Sequence, residues 1–439
     1  MSYDAARSSP QADTRGGAND VGPADMRILV MGAGVVGVTT AYQLLNDGHE
    51  VVVVERGAAA GLETSWGNAG MIAPGHAFAW SSPAAPMILL KSLLSKNQAL
   101  RFRPSMDPHQ WLWLLLFLQQ CTHERARRNT LRKHRLCLYS QQVLHETLKD
   151  CAFDYDRNDR GIVFFYRSAE SLERGVGHMQ ILADDGQAIE VLDRDDIVEL
   201  EPSLAAAKDR IAGGIYCPSD ETGDCNKFTQ GLAALAADRG AEFHYETEIR
   251  AIEADGDQVR AVATSNGDLS ADAYVLALGN QSPILARRIG VGLPIYPVKG
   301  YSITVPVGNH PHPPTVGAVD EDNLIAISRF GDRLRLTATA EISGYGTGHK
   351  PSDFAYMVSV AQELYPDGGD YDSATPWAGL RPMTPEGTPL FGRKKYRNLY
   401  FNCGQGHMGW TMAHGSARIT ADLIAGKPTA VPLDGMTVT

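Results

Sequence analysis

Gly32-Ala33-Gly34-Val35-Val36-Gly37 carries the spacing G-x-G-x-x-G, and Glu55 follows 23 residues after its first glycine. Such a triplet does chemistry where a strand runs into a helix. The first glycine permits the tight turn, the second lets backbone N–H groups reach a pyrophosphate, and the third lets helix and strand pack closely. The helix N-terminus adds a partial positive charge facing the anion. An acid ending the next strand accepts hydrogen bonds from a ribose diol and repels a 2′-phosphate, which disfavours NADP. Gly32, Ala33, Gly34, Val36, Gly37 and Glu55 are therefore expected to hold a dinucleotide.

The elements that must position these residues are present. RILVM at 27–31 reads as a buried strand, a helical stretch runs to Asp47 and stops at Gly48, and Val51–Val54 reads as a second strand. The fingerprint does not choose between NAD and FAD. Two later features favour a flavin. An apolar strand, Ala273–Leu278, ends at Gly279, as if a second strand end met the same dinucleotide. The loop Asn402–Thr411 is a second backbone-rich cradle opening onto a helix. Each has a plainer reading, an αβ turn or a capped helix; together they favour a flavin stretched across the molecule.

Residues 85–150 read as mostly helical, with Trp111–Leu118 apolar all round and expected to be buried. Short charged helices alternate with strand-like pieces over 153–200, an α/β pattern returns over 211–290, and 293–342 is strand-rich. This order predicts an α/β chain: a Rossmann-type domain at 26–84, 211–290 and 375–439, and a discontinuous α+β domain with an antiparallel sheet at 85–210 and 291–374. Residues 1–25 are polar, lack the apolar core of a signal peptide, and are expected to be a disordered tail. Met26 is then a candidate initiator.

Beyond the fingerprint, several long motifs occur in one order. They are Glu63-Thr64-Ser65 with Asn68-Ala69-Gly70, Pro218–Cys225, Tyr296–Ser302, Gly379–Pro389 and Gly406–Ser416. From Met26 onward the chain resembles flavoproteins of the D-amino-acid oxidase superfamily, and most closely the bacterial D-amino acid dehydrogenases. The resemblance implies an FAD domain, a substrate domain and a flavin between them. It implies oxidation of the Cα–N bond of a D-amino acid to an imine, hydrolysed to a 2-oxo acid and ammonia, with a quinone or other respiratory acceptor taking the electrons. A related amine dehydrogenase or oxidase, acting on a secondary amine such as D-hydroxyproline, sarcosine or glycine, is the alternative.

For the substrate carboxylate the resemblance implies Arg381, whose guanidinium fork suits bidentate pairing. Tyr301 could add a hydroxyl or serve only as a strand residue, and Arg329 and Arg333 are weaker candidates with solvent exposure as the plainer reading. His407 lies in the flavin-facing loop, where a general-base role is the lesser reading because the chemistry runs by orientation. To the flavin the resemblance assigns Arg56, Thr64, Ser65, Asn68, Ala69, Gly70, Met71, Ile249, Gly279, Gly406, Met408, Gly409, Trp410 and Thr411, besides His407. No cysteine stands at the Arg381 position, so FAD is expected to be non-covalent and Cys403 to pack. Trp66-Gly67, His76 and Phe78 depart from the family's usual pattern and leave the substrate range open.

The formal net charge is −11, from 40 Lys and Arg against 51 Asp and Glu, which argues against nucleic-acid binding. Six scattered cysteines without a CxxC argue against a zinc site or a disulfide framework and for a reducing compartment, the cytoplasm. The basic run Arg125–Arg135 reads first as a solvated helix face and second as a contact with anionic lipid at the inner membrane face.

Overall fold

The computed structural model describes residues 25–92 and 100–438. The expected tail therefore lies, but for Asp25, outside the described residues.

Five parallel strands and one antiparallel edge strand form the first sheet, in the order Leu390–Gly392, Leu399–Cys403, Ala273–Leu276, Arg27–Met31, Glu50–Val54, Glu242–His244. Val30 stands opposite Val53 on one side and Val275 on the other. Strands covered on both faces read as unbroken apolar runs, which is why RILVM and VVVV carry no polar alternation. Ile28, Val30, Val51 and Val53 face a helical layer of Val35–Asn46, Cys225–Asp238 and Gly409–Ile424. Leu29, Met31, Val52 and Val54 face the other way, onto a three-stranded antiparallel sheet at 249–269 that contributes Ile252, Val259 and Val262. The strand order reverses at Arg27–Met31, so the crevice at its carboxyl end is the natural ligand position.

The second sheet runs in the order Thr375–Met383, Tyr296–Pro306, Arg333–Ile342, Ile325–Phe330, Gly317–Asp320, Ile162–Tyr166, Gly213–Cys217, Glu190–Leu192, with Leu100–Phe102 beside Arg333–Ile342. Its pairs are antiparallel except Gly317–Asp320 with Ile162–Tyr166 and the Leu100–Phe102 contact. Two expected boundaries move. Gly213–Cys217 and Thr375–Met383 hydrogen-bond into this second sheet, so the chain returns to the first layer system after them and not at 211 or 375.

Three further sequence expectations change, two about helices and one about Arg333 on a strand. The helix Pro108–Gln120 buries Gln110, Trp113 and Phe117, yet Trp111, Leu112, Leu115 and Leu118 are exposed. An apolar run thus covers both faces of a helix that has only one packed side. In the helix His123–Thr147, Lys133 turns inward to donate to the Phe78 carbonyl, and Arg135 pairs with Asp185 at 2.8 Å. Arg125, Arg127, Arg128 and Arg135 of the basic run are exposed, the last of them while paired with Asp185. Arg333 is neither free nor at the cavity: it bridges Asp156 at 3.1 Å and Asp224 at 2.9 Å.

Candidate active site

The strand–turn–helix at 27–46 builds one wall of the site. Gly32 adopts φ +103°, which only glycine takes without strain, and a Cβ on Gly37 would fall 1.9 Å from the Gly32 carbonyl oxygen. Gly34, by contrast, has only Ser65 Oγ at 3.6 Å, so the helix N-terminus is left uncovered where an anion would sit. Glu55 accepts from the Ala33 N–H at 2.9 Å and the Gly57 N–H at 2.8 Å, which fixes its carboxylate at the end of the second strand.

A channel of about 400 Å³ runs from this turn. Gly32, Gly34, Val36, Glu55, Arg56, Ile249 and Gly279 line it. It adjoins a second cavity of about 270 Å³, and Val35, Thr64, Ser65, Gly406 and Gly409 line both. Asn68, Ala69, Gly70, Met71, His407, Met408, Trp410 and Thr411 line the second cavity alone. Of the expected cofactor residues, Ala33 and Gly37 line neither; they serve the turn and its packing. The N-terminus of the 16-residue helix Gly409–Ile424 opens at the junction, and its dipole favours negative charge there. An elongated, two-part space with a helix N-terminus at each part fits a dinucleotide that carries a ring system.

Arg381, Tyr301 and His407 all line the second cavity. Arg381 stands opposite Val298, and a Cβ on Gly300 would fall 2.3 Å from its Nη1, so that glycine makes the guanidinium's space. Nη1 donates to the Thr339 carbonyl at 3.1 Å. Thr339 sits at φ +61°, a strained conformation for a β-branched residue, in the irregular stretch where Arg333–Ile342 pairs with Tyr296–Pro306. Thr64 Oγ1 and Asn280 Nδ2 both donate to the Leu380 carbonyl, at 2.8 and 2.7 Å, which ties the strand bearing Arg381 to the first layer system. Among the described residues no carboxylate pairs with Arg381, and burial lowers its pKa to about 10. It remains a cation at neutral pH.

His407 stacks on Trp80, with ring centroids 4.5 Å apart, and its Nε2 is buried without a partner. Burial first, then Lys133, His76 and Arg381, pushes its pKa well below the usual imidazole value, so the ring is neutral. Tyr301 is buried, its ring edge-on to Phe354 at 5.6 Å; burial and then Glu341 raise its pKa. Cys403 is fully buried in the core beneath the first sheet, and burial raises its thiol to about 12. None of the six cysteines lines either cavity.

Three residues escaped the sequence reading. Arg335 is buried and donates through Nη1 to the Trp66 and Asn68 carbonyls, at 3.0 and 3.2 Å, holding the loop that forms one cavity wall. Its neighbours in RLRLTATA alternate as on a half-exposed strand, and nothing local marks the inward arginine. Trp80 and Trp377 are the other two; they lie outside every motif, though the unusual Trp66-Gly67 pair next to Trp377 was a partial signal.

The profile of the FAD dependent oxidoreductase family matches residues 27–423. "D-amino acid dehydrogenase 2" of Mesorhizobium japonicum is 46% identical over 412 residues, covering 94% of this chain and 99% of the relative. "D-amino acid dehydrogenase" of Paramagnetospirillum magneticum is 45% identical over 412 residues, covering 94% and 98%. Among solved structures, glycine oxidase from Geobacillus kaustophilus superposes with a TM-score of 0.72 at 23% identity, covering 95% of this chain and 99% of that one. L-proline dehydrogenase from P. horikoshii gives 0.71 at 17% identity, covering 94% and 97%. At such identities these two likenesses speak for the fold.

Proposed function

This chain belongs to the FAD dependent oxidoreductase family and within it to the D-amino acid dehydrogenases, and from that premise we propose that it oxidises the Cα–N bond of D-amino acids, passing the electrons to a quinone or other respiratory acceptor. The observation that carries the reading is Arg381: a half-buried, desolvated guanidinium, without a carboxylate partner among the described residues, that lines a cavity adjoining the dinucleotide channel. Bound FAD supplies the two-electron acceptor, and the imine product hydrolyses in water to a 2-oxo acid and ammonia. The protein's part is orientation. Arg381 takes the substrate carboxylate, Gly300 leaves room for the fork, and the Thr339 carbonyl sets its angle. With the carboxylate fixed, Cα is turned toward the Gly406–Thr411 side of the cavity. His407 contributes a neutral, uncharged wall. The absence of a thiol lining the cavities supports a flavin held without a covalent bond; release of all yellow colour on acid precipitation is the expected result.

Anaerobic mixing with D-amino acids should bleach the flavin, and a quinone should restore its colour faster than oxygen does. Bleaching by L- but not D-enantiomers, or by neither, refutes the reaction; faster reoxidation by oxygen refutes the acceptor.

Contact with a membrane surface at the cytoplasmic face is the second part of the proposal. No helix among the described residues is long and apolar enough to cross a bilayer. Support for surface contact comes from the exposed Met87, Ile88 and Leu90 of the helix Ala85–Ser92 and the exposed side of Pro108–Gln120, whose buried sides share one core cluster. Exposed Lys91, Arg125, Arg127 and Arg128 lie on or next to these helices in an otherwise acidic protein. The holoenzyme should cosediment with anionic vesicles at low salt and less at high salt; no binding at low salt overturns this part.

A further inference from the structure

We infer that the side chain of the D-amino acid is uncharged and apolar, and that Trp80 selects it. The inference rests on the reading of Arg381 as carboxylate anchor. Once the carboxylate is held there, the side chain must fall on whatever surrounds that guanidinium. Trp80 forms an aromatic wall beside it, its ring centroid 5.9 Å from Arg381 Cζ and stacked on the neutral His407 at an interplanar angle of 24°. Val319 and Ala326 continue the lining from the second sheet, with Leu324 from the turn between their strands.

The charges in the lining matter as much as its apolar atoms. Among the described residues that line the cavity there is no Asp, Glu or Lys, and Arg381 carries the one fixed charge. The nearby Glu321 lies 3.4 Å from His76 Nε2 and does not line the cavity. A lysine-like or arginine-like side chain would lose its hydration with no carboxylate to meet it and with Arg381 close by. A second carboxylate would find only the arginine already used by the first. An apolar or aromatic group meets indole and aliphatic surface and loses nothing polar.

Trp80 is also held as a rigid wall. The Ala79 N–H donates to Thr130 Oγ1 at 3.0 Å, and the Phe78 carbonyl accepts from buried Lys133. A second indole, Trp377, faces the same cavity from a slot made by two glycines; an added Cβ would fall 2.2 Å from its ring at Gly67 and 1.9 Å at Gly379.

The test is the rate of anaerobic flavin reduction in the holoenzyme, for D-Phe, D-Met and D-Leu against D-Ala, D-Lys, D-Arg and D-Glu. The apolar substrates should exceed the charged ones by about 100-fold or more in kcat/KM, as expected for a side chain buried without a partner. Trp80→Ala should lower the ratio of D-Phe to D-Ala by roughly 10- to 100-fold, mostly through KM, and Trp80→Phe should restore most of it. Charged D-amino acids that match or exceed the apolar ones overturn the inference. So does a Trp80→Ala variant that slows D-Phe and D-Ala equally, since that marks a general scaffold residue. If no D-amino acid reduces the flavin, the reaction itself is wrong; if all do so without discrimination, only the side-chain inference falls.

Discussion

Replacing Arg381 by Met keeps the volume of the side chain and removes its charge and its donors. Two effects of opposite sign follow. In the ligand-free protein the guanidinium is desolvated without an ion pair, and its pKa falls from 12.5 to about 10. That gap corresponds to about 3 kcal/mol by which the buried environment disfavours the charged form. Arg381→Met relieves this cost and gives up one hydrogen bond, to the Thr339 carbonyl, worth about 1 kcal/mol. The ligand-free holoenzyme should therefore melt no lower than the wild type and as much as a few degrees higher. In the substrate complex the same change removes a bidentate, charge-assisted contact of roughly 3–5 kcal/mol, a loss of about 10²- to 10³-fold or more in kcat/KM. Flavin content by absorbance, melting by fluorimetry and steady-state rates with a dye acceptor measure all three quantities. A variant that loses flavin and melts several degrees lower, with its KM unchanged, would refute the reasoning and make Arg381 a structural residue.

Four further outcomes follow from the same geometry. A competitive carboxylate inhibitor lacking an amine should bind with constant affinity from pH 7 to 9 and weaken above about pH 10, as Arg381 loses its proton; flat affinity to pH 11 contradicts this. Thr339→Gly keeps the carbonyl that orients Arg381 while relieving the left-handed backbone, so it should stabilise the fold by about 1 kcal/mol with kcat/KM little changed. Arg335→Ala leaves the Trp66 and Asn68 carbonyls without their donor and should weaken FAD binding roughly tenfold, read by fluorescence titration of stripped enzyme. Buried Lys133 has a pKa lowered from 10.5 to about 7, so the unfolded chain binds more protons between those values. Its contribution makes stability rise with pH over that window, and Lys133→Met should flatten the slope seen in denaturant titrations.

Local sequence showed the parts of the site whose chemistry depends on backbone. Gly32–Glu55 announces itself because a tight turn, a close approach and a strand-end acid need particular residues at particular spacings. The side chains that finish the cavity do not. Arg335 and Trp377 are brought in by distant strands and Trp80 by the loop after His76, and no local spacing marks any of them as facing the cavity. Trp111–Leu118 shows the converse: periodicity reports apolar character but not which side finds a partner, so a helix read as buried has half its bulk in the open. Lys133 is a similar case, since its charge predicts a solvated face and only the packing of His123–Thr147 on the Phe78 loop turns it inward. The domain boundaries shifted for a related reason, because strands such as Thr375–Met383 join whichever sheet offers a free edge.

The helix that follows the fingerprint packs along the last long helix of the described chain. Thr39 reaches the Ala413 carbonyl at 3.3 Å, and Asn402 reaches Thr40 at 3.0 Å. One half of the cradle is thus made on the ribosome more than 350 residues before the other. A nascent chain carries the glycine triplet long before it carries Gly406 and Gly409, so capture of the cofactor must await synthesis of both halves. Apolar strand faces of the first sheet wait over that interval too, because Leu399–Cys403 and Gly409–Ile424 cover them. For this fold, chaperone supply during synthesis is expected to raise the yield of coloured enzyme, since apolar strand faces stay open until both halves are made.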